Sequence, residues 1–151
     1  MVLSREKFRE IVFQLLYSQD FFTSEEEDIV GLMMAELSVT KKSMMEATRK
    51  RELVFSRLSE IDDLITKFSS SYEIGRIGKV EKSILRLAVY ELCFEDALPP
   101  KVAISEAIRL TRKFSTAQSG AFINAVLDAV LQSRSKPGEK IDETATVLSA
   151  S

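Results

Sequence analysis

The sequence predicts an all-α fold, an antiparallel bundle of about seven helices in two packed subdomains. Apolar residues recur at helical spacing along almost the whole chain, and strand-like alternation is almost absent. All five glycines and all three prolines lie beyond position 30, mostly where the periodicity breaks. One late segment is apolar on nearly every side, as the central helix of a bundle must be. These features place a single helical domain over residues 1–134, with subdomains of about 1–76 and 77–134, followed by a disordered tail over 135–151.

In the first helix Phe8, Ile11, Val12, Leu15 and Leu16 form one stripe, with Ser4 as its N-cap and an end near Asp20. Ser24 followed by Glu25, Glu26, Glu27 and Asp28 reads as the acidic start of a second helix through Ile29, Leu32, Met33 and Leu37. A long periodic region from Lys41 to Phe68 is expected to break near Glu60 and Ile61. Residues 72–78, with Gly75 and Gly78, read as a linker between the two halves. The all-round apolar helix runs from Lys79 to about Glu95. Pro99 and Pro100 open a helix to Phe114, and Ser115 or Thr116 caps a last one ending near Ser133.

Composition excludes several classes of function. With 21 basic and 23 acidic side chains, a net charge of −2 is not that of a uniformly basic nucleic-acid binder, though it leaves room for a local patch. Histidine is absent, which removes the commonest general acid–base near neutral pH. A single cysteine, Cys93, allows no intrachain disulfide and no multi-thiolate zinc site. Phosphate-loop, dinucleotide-loop and metal motifs are not found. Without a bilayer-length apolar run or an apolar signal-type start, the protein is read as cytoplasmic, not membrane-bound.

Candidate binding residues then come from projection. Phe13 and Tyr17 point largely away from the apolar stripe of the first helix, and Arg5 and Arg9 run along its edge. Aromatics beside arginines suit base stacking or a protein contact. The alternative is a helix buried on two sides, with Phe13 in a second layer, and the projection alone favours this structural reading. Arg5, Lys7 and Arg9 make a short basic arm that Glu6 and Glu10 dilute. Arg109, Arg112 and Lys113 gather near a helix C-terminus, where the macrodipole alone favours them. The start of the last helix, near Gln118 and Ser119, offers free N–H groups. Glu91 falls on a core face, where a buried acid calls for an arginine partner.

Four segments in register make the chain recognisable: REIVFQLLY at 9–17, VEKSILRLAVYEL at 80–92, KVAISEAIRL at 101–110 and FINAVLD at 122–128. Together they resemble the NusB family of transcription antitermination factors over most of residues 5–130. The resemblance implies a two-subdomain helical fold, no catalysed reaction and no cofactor. It also implies pairing with the small-subunit ribosomal protein NusE, binding of single-stranded boxA RNA in ribosomal RNA leaders, and entry into an antitermination complex on RNA polymerase. By position, Arg5, Lys7 and Arg9 match the family's RNA-binding arm. Gln118, Ser119 and Phe122 match a further RNA-contacting region, and Tyr17 and Glu81 match positions facing the protein partner. Glu6 interrupts what is often a run of arginines, which weakens phosphate attraction. Gln118 stands where an aspartate is common. Relatives occur as monomers and dimers, so a homodimer stays open. The competing readings are a helical RNA-binding subunit of an RNA methyltransferase and a purely protein-binding adaptor. On the RNA-binding reading, Arg9→Glu weakens RNA binding without unfolding the chain.

Overall fold

The computed structural model describes residues 3–19, 39–69 and 76–134. The helix expected over 24–37, most of the linker and the tail from 135 lie outside them. Among the described residues there are six helices: α1 (Arg5–Gln19), α2 (Lys41–Ser56), α3 (Leu58–Phe68), α4 (Lys79–Phe94), α5 (Pro100–Phe114) and α6 (Ala117–Arg134). None of these helices is long and apolar enough to cross a membrane.

Helix starts follow the local chemistry. Ser4 Oγ accepts the Lys7 N–H at 3.1 Å, Thr40 Oγ1 accepts that of Ser43 at 3.1 Å, and Thr116 Oγ1 accepts that of Ser119 at 3.1 Å. Each satisfies one of the amides that a helix start leaves without an intrahelical acceptor. Pro100 occupies the first turn of α5, where a missing N–H costs no helical hydrogen bond.

The break in the long periodic region falls at Arg57, not near Glu60 and Ile61. Arg57 leaves helical geometry (φ −115°, ψ 17°), and its N–H turns to Val54 O at 3.1 Å. Periodicity could not reveal this. Met44, Ala47, Arg51 and Val54 are buried on α2 and Ile61 and Ile65 on α3, so the stripe keeps helical spacing across the break. Arg57 is stabilised outside the helix by stacking over the Phe94 ring at 4.7 Å and by a 3.1 Å bond to Glu60.

Helix α4 packs against all five others. From Ser83 to Cys93 every residue but Arg86 is buried, which is why its sequence lacks a polar face. Arg86 instead forks onto Asp62 of α3 with bonds of 2.9 and 2.8 Å. The core continues from Ile11 and Leu15 of α1 through Ile84 and Leu85 to Leu110, Ile123 and Leu127. Phe13 is 2% exposed, with its ring 4.8 Å from that of Phe114. Helix α1 is therefore buried on two sides, as the structural reading of Phe13 requires.

Candidate functional site

The basic arm divides at the first turn of α1. Arg5 is exposed and Lys7 half-buried, whereas Arg9 is 6% exposed. Arg9 Nε donates to Glu91 Oε2 at 3.0 Å, and its Nη1 lies 3.9 Å from Glu106. Lys50 Nζ donates to the same Glu91 oxygen at 2.8 Å and to Glu95 at 3.1 Å. Glu91, 2% exposed, thus has the arginine partner that its core-facing position demanded, and Lys50 as a second cation. Its charge requires both, and Arg9 is bound to the protein before any ligand arrives. Arg5, Phe8, Arg9 and Lys50 line a groove of about 540 Å³ together with Glu95 and the loop from Asp96 to Leu98.

The basic strip of α5 is similarly occupied. Arg109 Nη1 donates to Glu10 at 2.7 Å, and Lys113 Nζ donates to the other oxygen of Glu10 at 2.9 Å. Arg109 also reaches Glu106 at 2.9 Å and the carbonyl of Glu6 at 3.1 Å. Burial pushes the Glu10 carboxyl up, but bonds from Lys113 and Arg109 outweigh it and hold the group below its ordinary value. Burial likewise opposes the charge of Arg109, and Glu106 and Glu10 more than compensate. The strip therefore fastens α5 to α1, while Arg112 remains exposed.

At the start of α6, Gln118 is exposed, and Ser119 and Phe122 are half-buried. These three, with Glu81 and Arg76, line a cleft of about 310 Å³. The Thr116 cap consumes the Ser119 N–H, so this helix end is already partly satisfied. Glu81 lies in the first turn of α4 and accepts the Ser115 hydroxyl. Burial raises its carboxyl, but hydrogen bonds from Ser115, its own amide and Ser119 hold it below the ordinary value. Tyr17 is half-buried, its ring stacked 6.0 Å from Phe13.

Four of the eight residues that the resemblance assigns to binding, Glu81, Gln118, Ser119 and Phe122, thus meet at one cleft, and Arg5 and Arg9 meet at another groove. The groove lies at the end of α4, by the loop into α5, and the cleft lies at the start of α4, beyond the end of α5, so the two stand at opposite ends of α4. Sequence reasoning missed Lys50 and Arg76. Lys50 sits in the charged stretch RKRE, whose pattern reads as a solvated face, and Arg76 sits in the presumed linker. Glu91 on its core face called for an arginine partner, and nothing in the sequence pointed to Lys50 as a second cation.

Fold and site define a class: an all-helical protein with a groove of mixed charge at one end of its central helix and a polar, aromatic cleft at the other. Among the described residues no three His, Cys, Asp or Glu side chains gather as a metal site. The NusB family model matches residues 6–132, and the chain belongs to the NusB family. It is 37% identical over 134 residues to the transcription antitermination protein NusB of Natranaerobius thermophilus, spanning 88% of this chain and 95% of that protein. To the protein of the same name from Agathobacter rectalis it is 38% identical, over 83% of this chain and 97% of that one. The fold is similar to that of T. maritima NusB, with a TM-score of 0.77 and 34% identity over 87% and 93% of the two chains. It is also similar to a chain in the crystal structure of the antitermination factors NusB and NusE in complex with dsRNA. There the TM-score is 0.74 and the identity 27%, over 85% and 96% of the two chains.

Proposed function

We propose that this protein is a transcription antitermination factor of the cytoplasm. With NusE it binds the boxA element of nascent ribosomal RNA leaders and joins an antitermination complex on RNA polymerase. It catalyses no reaction. The observation that carries this reading is the near full-length match to antitermination proteins named NusB.

Exposed Arg5 and half-buried Lys7 neutralise phosphates, and Phe122 offers a half-exposed ring beside the amide of Gln118 and the hydroxyl of Ser119. A single strand can splay its bases onto such a surface. Arg9 contributes by anchoring the arm, since its guanidinium is committed to Glu91. Tyr17 and Glu81 face the protein partner. With only two cations of the arm exposed or half-exposed, binding to RNA alone is weak and strengthens with NusE.

The test is a titration of fluorescent boxA RNA, single-stranded and duplex, with and without NusE across a salt series. Binding of the single strand should tighten with NusE, weaken with salt and fail when boxA is scrambled. Binding of NusE with no RNA bound in any form would reduce the protein to an adaptor.

A further inference from the structure

Glu81 lines the same cleft as Gln118, Ser119 and Phe122. It stands in the first turn of α4, yet its carboxylate does not point freely into solvent. It accepts the hydroxyl of Ser115, the residue that ends α5, and Ser119 in the first turn of α6 borders the same cleft. Ser119 is in turn held by the Thr116 cap. The α5–α6 turn is therefore tied to α4 by one carboxylate, and the side chains displayed from that turn are Gln118 and Phe122. Glu81, Thr116, Gln118, Ser119 and Phe122 border the same cleft.

Gly78 is fitted to this arrangement. A Cβ at position 78 would collide with Oε1 of Glu81, while the backbone there (φ −57°, ψ 151°) is open to any residue. The glycine thus leaves room for the carboxylate and is not demanded by the chain's own conformation. Because the colliding atom is the end of a flexible side chain, an alanine at 78 would move the carboxylate and leave the backbone in place.

We propose that Glu81 is a positioning residue for the RNA-facing start of α6, coupling the protein partner's face to the RNA site through Ser115. The inference rests on the reading that Glu81 faces NusE and that Gln118 and Phe122 face RNA. A partner that settles over Glu81 fixes its carboxylate, which fixes the turn and presents Gln118 and Phe122 in one geometry. By linkage, RNA bound at the turn tightens the partner by the same factor.

The experiment measures the affinity of boxA RNA for the full chain with and without NusE, in wild type, Ser115→Ala, Gly78→Ala, their double variant and Phe122→Ala. Circular dichroism melts verify that each is folded. Ser115→Ala should keep its affinity for NusE alone and lose about fivefold or more of the enhancement that NusE gives to RNA binding. Gly78→Ala should reproduce this loss with the serine and the charge both present. The double variant should lose no more than either single one, because both break the same link. A destabilised but otherwise equivalent protein would keep the enhancement. If Phe122→Ala weakens RNA binding while Ser115→Ala and Gly78→Ala leave the enhancement intact, the coupling is wrong and the RNA site stands. If Phe122→Ala leaves RNA binding unchanged, the RNA reading of α6 fails and the coupling with it.

Discussion

At the scale of single residues, the pair Arg5 and Arg9 shows how one helical turn separates two roles. They project from the same edge of α1, but Arg5 meets water and Arg9 meets Glu91. Arg9→Glu would set two carboxylates together in a site that is almost fully buried, with Lys50 as their one close cation. Loss of a buried pair's partner costs about 3–5 kcal/mol, so urea denaturation should show a large fall in midpoint. Arg5→Glu should leave that midpoint within about 0.5 kcal/mol of wild type and weaken RNA binding. A fully stable Arg9→Glu protein would contradict the burial of this pair, and the expectation that the substitution spares folding is corrected accordingly. The charge of the arm was legible in the sequence, but its burial was not. Projection gives the angle of a side chain around its own helix and says nothing of what covers it. The complementary signal was Glu91, a carboxylate on a core face, whose partner lies 82 positions away.

Glu10 supplies a pH dependence at the same scale. Its folded-state pKa is below the ordinary value of 4.5. Its contribution to stability is therefore complete above that value and is lost as pH falls through the folded pKa. Glu81, also depressed, behaves in the same sense. Urea midpoints measured from pH 7 down to pH 3 should fall on the acid side, and Glu10→Gln should flatten that fall. A Glu10→Gln profile as steep as wild type would remove Glu10 from the account.

At the scale of elements, the helices among the described residues were legible because periodicity and caps agree, and the exact break between α2 and α3 was not. Arg57 leaves the helix without shifting the phase of the apolar stripe, so no pattern of residue types records it. The all-apolar character of α4 did forecast its central place, with every other described helix packed on it. Two changes separate these contributions. Leu85→Ala, at a fully buried position of α4, should cost about 2–5 kcal/mol. Thr40→Ala, which removes only the α2 cap, should cost about 1 kcal/mol. Equal losses in thermal or urea unfolding would mean that α4 is not the centre of the bundle.

At the scale of the whole molecule, a net charge of −2 and an RNA target are compatible because cations are sorted by whether a carboxylate of the protein already holds them. Arg9, Lys50, Arg109 and Lys113 are paired with Glu91, Glu95, Glu106 and Glu10, and hold α1, α2, α4 and α5 together. Arg5, Lys7 and Arg112 remain available for phosphates. The clustering of Glu81, Gln118, Ser119 and Phe122 around one cleft was not readable from the sequence, because it depends on how the start of α4 packs beside the α5–α6 turn. Replacing Arg5 and Lys7 by glutamine should reduce the salt slope of RNA binding by about 0.7 for each phosphate no longer neutralised. An unchanged slope in the double variant would place the RNA elsewhere.

The central claim, antitermination, is tested most directly by terminator readthrough on a template carrying a ribosomal RNA leader, transcribed by RNA polymerase with NusE and the other factors, with and without this protein. Readthrough should rise when the protein is added and return to baseline when boxA is scrambled. Readthrough that ignores the protein, in a reaction where another NusB restores it, would contradict the assignment.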